Sequence, residues 1–503
     1  MNPQVLEFLL FINGNWKPAS NGSTFEVINP ATKQVIAKVA SASPNDVNEA
    51  ITVARSTFVS GVWSKMTPKE RSEILINFGN LIILHGEELA YLECISSGGT
   101  LHRIANIDIL TCVDVLQQTS KFANDYPYGE TLPVMPFPGA SNNQIWREPI
   151  GVVGAITPWN LPMILAMWKI APALAMGNSI IVKPSPYAPI TILRLAELAS
   201  KAGVPDGVFN VITDSGAEAG KILATHKEID KITFTGSTAV GREIMKSASG
   251  TLKRVTLELG GKAPAIVLQD ADLEITIPGI LFGFCLNSGQ ACESGSRLLV
   301  HEEIYDEVVE RLVQVGKTIK IGNPLDPTNG MGPIISEAQY NKILSFIETG
   351  KKEGARLVLG GGALNDGEYK NGYYISPTIF ADVTNEMTIA KEEIFGPVLV
   401  VLKYSNIEEA IKIANDSEYG LAGGVWSKDI NKALEIAHAL KAGTIWINDW
   451  HLLRSDAPFG GYKQSGFGRE LGRHVLDEYS QIKHVHISLI PELESKVWLK
   501  EVL

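Results

Sequence analysis

A cysteine in a loop of small polar residues is the first candidate for chemistry. Asn287-Ser288-Gly289-Gln290-Ala291-Cys292 has that composition, and such a thiol can lose its proton to a nearby base and become a strong nucleophile. Cys94 and Cys112 lie in apolar runs, as structural cysteines do. Cys285 is a rival nucleophile, but its neighbours Phe282, Phe284 and Leu286 suggest packing. Thirty-four residues before Cys292, the run Leu257-Glu258-Leu259-Gly260-Gly261-Lys262 places a carboxylate at the end of an apolar segment, ahead of a glycine hinge. A partly buried carboxyl there suits general-base work. Asn160, just past the break at Pro158, presents an amide that can donate to a developing oxyanion. An ordinary turn asparagine would look the same.

Two further segments could hold a phosphorylated ligand. Val182-Lys183-Pro184-Ser185 puts a lysine at a strand terminus, where it can meet ribose hydroxyls or phosphate; a solvated surface lysine is the plain alternative. Phe234-Thr235-Gly236-Ser237-Thr238-Ala239-Val240-Gly241 reads as strand, glycine turn and helix start, which can offer N–H groups to a pyrophosphate. It is not a G-x-G-x-x-G sequence, because its second glycine comes five residues after the first, and an ordinary strand–helix turn fits equally well.

These segments need a scaffold, and the pattern around them supplies one. From 151 to 258, apolar runs at Val152–Ile156, Ile180–Val182, Phe209–Ile212, Ile232–Phe234 and Val255–Leu257 alternate with helical stretches such as Thr191–Ala202 and Ala239–Ser249. The alternation predicts parallel βαβ units, with ligand at the carboxyl ends of the strands. A second block from about 263 to 447 has candidate strands Ala265–Leu268, Leu298–Val300, Leu357–Leu359, Val398–Val401 and Thr444–Ile447. Its candidate helices are Ile304–Thr318, Glu337–Glu353, Ile407–Ala414 and Lys432–Leu440. It reads as a second α/β domain. Ser43, Pro44 and Asp46 mark a helix start, followed by an apolar face of Val47, Ile51, Ala54 and Phe58. Ile482–Ile487 alternates as a strand able to join another subunit's sheet edge.

Size and composition bound the possibilities. The chain has 503 residues, 45% hydrophobic and 20% charged, as expected of a folded protein of two to four domains. Its net charge of −11 disfavours a nucleic-acid partner. Four cysteines are too few for a disulfide framework and suit a reducing compartment. The first residues, Met1-Asn2-Pro3-Gln4 onward, lack a signal-peptide pattern, and Trp498–Leu503 matches no prenylation or retention signal. No run approaches the ~18 apolar residues of a membrane span. A cytoplasmic protein without membrane association is expected.

Taken in order, the motifs resemble those of the aldehyde dehydrogenase superfamily. Pro158-Trp159-Asn160, Lys183-Pro184-Ser185, Phe234-Thr235-Gly236-Ser237, Leu257–Lys262 and Gly289-Gln290-Ala291-Cys292 are followed by Glu392-Glu393-Ile394-Phe395-Gly396-Pro397 and Pro458–Gly466. Phe11-Ile12-Asn13-Gly14 and Val27-Ile28-Asn29-Pro30 also fit. The resemblance implies an α/β fold with a Rossmann-type cofactor domain (1–125 and 148–259), a catalytic α/β domain (260–447), and a return segment lining the active site (448–473). A small β oligomerisation arm with the tail would occupy 126–147 and 474–503. It further implies a homo-oligomer, dimer or tetramer, and an aldehyde as substrate.

By that resemblance Cys292 is the nucleophile, Asn160 and the Cys292 N–H form the oxyanion hole, Glu258 is the general base, and Glu470 with Lys169 forms an outer proton relay. The reaction is oxidation of an aldehyde to an acid through a thiohemiacetal and a hydrolysed thioester. The cofactor, NAD with NADP possible, would be held by Ile156, Thr157, Pro158, Trp159, Lys183, Ser185, Pro186, Gly216, Gly220, Phe234, Gly236, Ser237, Leu259, Glu393 and Phe395. Many NAD-preferring members carry a glutamate three residues after the motif lysine. Pro186 stands there, so no carboxylate repels a 2′-phosphate. Leu161, Met163, Trp168, Leu286, Glu293, Trp450, His451, Leu453 and Phe459 should surround the substrate. Such walls can stack an aromatic aldehyde or cage a quaternary ammonium such as betaine aldehyde, or simply pack. No metal is expected. Three rivals are weighed. Coenzyme A-acylating members generally lack a carboxylate at the Glu258 position. A cofactor-independent thiol hydrolase needs a Cys–His pair, and no histidine lies near Cys292 in sequence. A non-catalytic relative has no need of Cys292, Glu258 and Asn160 together.

Overall fold

The computed structural model describes residues 5–502; the outermost residues of the first and last ranges above, 1–4 and 503, lie outside them. Two large sheets organise the chain. The first has eight strands in the order Gly466–Phe467, Arg254–Glu258, Lys231–Thr235, Val152–Ile156, Ser179–Lys183, Phe209–Val211, Leu10–Ile12 and Asn15–Lys17. Its five central strands are parallel and almost wholly buried, as strands covered on both faces are. Val152–Ile156, the first of the five in sequence, lies in the middle, and the chain winds out from it to either side. The crevice for a ligand therefore opens at its carboxyl end, where Pro158-Trp159-Asn160 and Thr235-Gly236-Ser237 emerge. At the far edge, Asn13 and Gly14 both take positive φ and close a two-residue hairpin, for which Asn-Gly is the favoured pair.

The second sheet runs Arg356–Leu359, Thr378–Ala381, Val398–Tyr404, Arg297–His301, Pro264–Val267, Ala422–Trp426 and Thr444–Ile447, parallel except for the first strand. Ala422–Trp426 and Thr378–Ala381 were absent from the predicted strands. Ala-Gly-Gly-Val-Trp lacks β-branched bulk because the indole of Trp450 lies against Gly424, so a side chain there has no room. The helix Leu273–Cys285 was also absent, because Pro278 and a nearly uniform apolar run conceal its period. The predicted helices of both blocks are present within one or two residues of their expected ends.

Ile482–Ile487 belongs to a longer strand, Ser480–Ser488, and its structural partner is within the chain. It pairs antiparallel with Ser141–Pro149 over its whole length, and Gly129–Thr131 completes this small sheet. Ser480–Ser488 is an edge strand of that sheet, with Ile482 68% exposed. The segment after Thr444–Ile447 returns to the first sheet: Phe459, Leu471 and Val475 pack in the same core as Met163 and Trp168.

The helix Pro44–Ser60 begins as expected. Asp46 N–H donates to Ser43 Oγ at 3.3 Å, and Ser43 N–H donates to Asp46 Oδ2 at 2.8 Å. Ser20 N–H also donates to the Asp46 carboxylate, and these bonds hold the acid below its ordinary pKa despite its desolvation. Replacing Ser43 with Ala is expected to cost about 1 kcal/mol, read as a lower urea midpoint at unchanged m-value.

Candidate active site

The nucleophile loop is held in a conformation the backbone resists. Asn287, Ser288 and Gly289 are consecutive left-handed residues, with φ of 53°, 57° and 73°. Side-chain-bearing residues rarely adopt this region. Hydrogen bonds fix each step. Asn287 Nδ2 donates to the Asn160 carbonyl at 2.8 Å, Ser288 Oγ to the Gly332 carbonyl at 2.7 Å, and Ile335 N–H to Gln290 Oε1 at 3.0 Å. At Gly289 a Cβ would run into the backbone of Gly396 and Pro397, so the glycine is required for space as well as for φ. Asn160 Nδ2 donates to the Gln290 carbonyl at 3.0 Å. That uses one of its two amide hydrogens and leaves the other for an oxyanion.

Cys292 lies where two cavities meet. The first, about 180 Å³, is lined by Pro158, Trp159, Asn160, Gly236, Ser237, Leu259, Glu393 and Phe395. Thr235, Gly260, Gln339 and Lys342 complete it and were missed in the sequence. Gln339 lies on the polar side of a helix and shows its role only through Nε2, which donates to the Phe395 carbonyl at 2.8 Å. The rings of Trp159 and Phe395 meet edge to face, 5.4 Å apart. Gly260 admits no side chain, since a Cβ would strike the Glu393 carboxylate, which accepts Gly261 N–H at 2.9 Å.

The remaining predicted cofactor residues sit further along the same strand ends, off this cavity's wall. Ile156 pairs in register with Lys183 and with Phe234. Gly220 lies against both Ile156 and Lys183, and Gly216 N–H is fixed by Asp214 at 2.9 Å. Thr157 and Ser185 are buried, and Pro186 is half-buried. Burial lowers the Lys183 pKa, with Asp214 opposing it. Ser237 caps the helix Thr238–Ala248.

The second cavity, about 160 Å³, reaches Cys292 from the other side. Leu161, Trp168, Leu286, Glu293, His451 and Leu453 line it as expected. Three predicted substrate residues do not. Met163 is fully buried in the core, its N–H tied to Glu93 at 3.0 Å. Phe459 stands behind Trp168, ring centroids 5.3 Å apart. Trp450 lies under the loop, filling space over Gly283 and Gly295, and donates from Nε1 to the Glu293 carbonyl at 3.1 Å. Arg103, Ile107, Asp108 and Phe282 appear on the wall instead. The place of Arg103, Ile107 and Asp108 depends on a π-turn at Ile104–Asp108, which no sequence period signals, and Phe282 comes from the helix Leu273–Cys285.

A hydrogen-bonded chain leads from the thiol. Cys292 Sγ donates to Glu293 Oε2 at 3.1 Å, and Glu293 Oε1 faces His451 Nδ1 at 2.9 Å. His451 Nε2 faces the Gly283 carbonyl at 3.0 Å. The fold thus brings a histidine near Cys292, but through Glu293 rather than as a Cys–His pair. Burial first, then the Glu293 charge, raise the thiol pKa well above its ordinary value. Glu293 stays below the ordinary carboxylate value because the hydrogen bonds and charge of its partners outweigh desolvation. Cys285 is buried at the end of its helix, and burial alone pushes its thiol up.

On the other side of the loop, Glu258 is fully enclosed and neither carboxylate oxygen has a hydrogen-bond partner. Desolvation, then the charge of Glu470, raise its pKa well above the ordinary value, with Lys169 and Arg469 opposing. Lys169 and Glu470 form a buried ion pair. Among the described residues no cluster of metal-ligating side chains occurs, and no helix is long and apolar enough to cross a membrane.

The comparisons agree with this geometry. Residues 16–485 match the aldehyde dehydrogenase family. The chain is 45% identical over 482 residues to betaine aldehyde dehydrogenase of Bacillus subtilis, covering 96% of this chain and 98% of that one. It is 42% identical over 495 residues to the human mitochondrial aldehyde dehydrogenase, covering 98% and 94%. Betaine aldehyde dehydrogenase of Staphylococcus aureus, solved in complex with NAD+, superposes with a TM-score of 0.95 at 41% identity, covering 97% of this chain and 96% of that one. The chain belongs to the aldehyde dehydrogenase family.

Replacing Glu293 with Gln removes the anion against the thiol while keeping the side-chain shape. The Cys292 pKa then falls, and alkylation by iodoacetamide at neutral pH is expected to be on the order of tenfold faster. An unchanged or slower rate would place the carboxylate away from the thiol in solution.

Proposed function

We propose that the chain oxidises an aldehyde to a carboxylic acid with NAD+ as the preferred acceptor, Cys292 being the nucleophile. The observation that carries this is the position of one half-buried thiol at the junction of two cavities, with an amide donor and an enclosed carboxyl group near it. The first cavity suits a nicotinamide: its mouth is aromatic, its floor is glycine, and it opens at the strand ends where βα folds bind nucleotides. When bound there, NAD+ supplies the hydride acceptor.

The chain's own residues do the rest. Cys292 Sγ, once its proton has left to solvent, bonds to the aldehyde carbon while the C=O π bond breaks and the oxygen takes the developing charge. The free Asn160 N–H and the Cys292 backbone N–H hold that charge. Loss of hydride from the carbon leaves a thioester. Glu258 then takes a proton from water as its oxygen attacks the acyl carbon, and Cys292 leaves with the thioester bond. Enclosure keeps Glu258 basic enough to accept a proton, and Glu470 with Lys169 offers a route for passing it onward. Lys183 and Glu393 are placed to meet ribose hydroxyls.

Pro186 presents no carboxylate to a 2′-phosphate, so NADP use at lower efficiency is consistent with the lysine motif. The eight-stranded sheet, the seven-stranded sheet and the small sheet of Ser480–Ser488 support a division into cofactor, catalytic and arm regions. The exposed edge of Ser480–Ser488 supports a homo-oligomer, dimer or tetramer, joined through the arm. Four unpaired cysteines favour the cytoplasm.

Cys292→Ser is expected to abolish NADH formation with any aldehyde while binding of NAD+, followed by protein fluorescence, persists, since a serine hydroxyl is a far weaker nucleophile. Near-wild-type turnover would remove the mechanism. Glu258→Gln is expected to retain a burst of NADH but to lose about 10²–10⁴-fold in steady turnover. Loss of the burst as well would assign Glu258 to the first half of the reaction.

A further inference from the structure

The wall of the substrate cavity carries a guanidinium without hydrogen bonds. Arg103 closes a short helical turn, Leu101–Arg103, just before the π-turn Ile104–Asp108. Its side chain is 7% exposed, and Nε, Nη1 and Nη2 all lack a hydrogen-bond partner. Its one charged neighbour in contact is Asp108, with Nη2 to Oδ2 at 3.2 Å, and that oxygen is equally without a hydrogen bond. Unmet buried donors are costly, and a guanidinium carries five of them in a planar fork. Structures leave such groups open where something else completes them.

The position of Arg103 says what would complete it. Arg103, Ile107, Phe282 and Leu286 line both the cavity that reaches Cys292 and a wider groove of about 410 Å³ outside it. Arg103 therefore stands where the two meet, on the wall of the cavity that reaches Cys292 and is otherwise largely apolar, with Ile107, Leu161, Ile164, Leu165 and Phe282. The two carboxylates on the wall each have a cationic or protic partner: Glu293 is engaged by His451 and the thiol, and Asp108 is in an ion pair with Arg103.

We infer that Arg103 is a specificity-determining residue that receives the far end of the substrate, and that the preferred substrates are aldehydes carrying a carboxylate at the end of an apolar chain. A carboxylate offers two acceptors in the geometry of the fork, and the contact is charge-assisted. The alternative, a cationic substrate such as betaine aldehyde, would meet a guanidinium at this point. This inference rests on the aldehyde dehydrogenase reading.

The test compares aldehydes matched in carbon number, oxobutanoate against butanal and oxohexanoate against hexanal, by NADH formation. Wild type is expected to show the higher kcat/KM for the carboxylated member of at least one pair. In Arg103→Met the ratio of the two values should fall about 10–100-fold, the worth of one hydrogen bond to a charged group. Because Arg103→Met strands Asp108, the double variant Arg103→Met/Asp108→Asn is measured beside it and should show the same fall. An equal loss on both members of every pair, in both variants, makes Arg103 a purely structural residue and overturns the inference. So does a wild type that favours the alkanal in both pairs, or betaine aldehyde over all four. Oxidation of none of these aldehydes would instead overturn the reading on which the inference rests.

Discussion

The strained loop before Cys292 is the constraint on which the site depends. Three consecutive left-handed residues raise the chain out of the helix Leu273–Cys285 and deliver the thiol into the gap between the two sheets. Such backbone costs of order 1–3 kcal/mol per residue and persists only where its surroundings over-determine it. Here they do. Asn160 from the first sheet, Gly332 and Ile335 from the segment following the second sheet's first helix pair, and the backbone at Gly396 close on the loop from three directions. The loop is thus held by the contact of the two α/β units, and any shift between them moves Cys292 relative to Asn160.

The same junction concentrates buried charge. Glu258 ends a strand of the first sheet, Lys169 projects from the fully buried helix Pro162–Ala175, and Glu470 comes from the returning segment. Taking these groups from water is expensive, and ion pairing in the interior seldom recovers the whole cost. Well-packed apolar residues would give an equally stable interior. In this cluster Glu258 has no hydrogen bond and its pKa is raised, while its neighbour Glu470 is paired to an ammonium, and perturbed buried carboxyls of this kind gather at functional sites. Strain at Cys292 and unmet polar atoms at Glu258 therefore belong to one pattern. Stability is spent at the junction, and the continuous cores on either side make that tolerable.

Much of this was legible in the sequence. The five central strands of the first sheet read as apolar runs because both faces are covered, and Ser43-Pro44 with Asp46 announces its helix by chemistry that is local in the chain. Cys292, Glu258 and Asn160 could be singled out because each lies at or just past the end of a strand or helix, where side chains are free for function. What was not legible depends on distant packing. Ala422–Trp426 looks like a loop until Trp450 is placed against its glycines. Met163, Trp450 and Phe459 were expected to be substrate walls from the family resemblance, yet the helix, the loop floor and the Trp168 ring turn them inward. Arg103 and Asp108 gave no signal, since the extra residue of a π-turn has no period to read.

The position of His451 shows how far the chain's order is from the site's order. It sits at φ 61°, in the left-handed region, directly after the indole that supports Glu293 from below. Both ring nitrogens face acceptors, the Glu293 carboxylate and the Gly283 carbonyl. The two contacts together fix the orientation of the ring. The left-handed turn at His451 then has a purpose: it brings the imidazole to the residue adjoining Cys292. Glu293 is left with one oxygen for the Cys292 thiol, and a hydrogen-bonded thiol is what the resting chain displays. Ionisation of that thiol must overcome the Glu293 anion, and a cationic ring bound in the opposite cavity would favour the same ionisation. The two cavities meet at one sulfur atom, whose charge state answers to the groups on both sides.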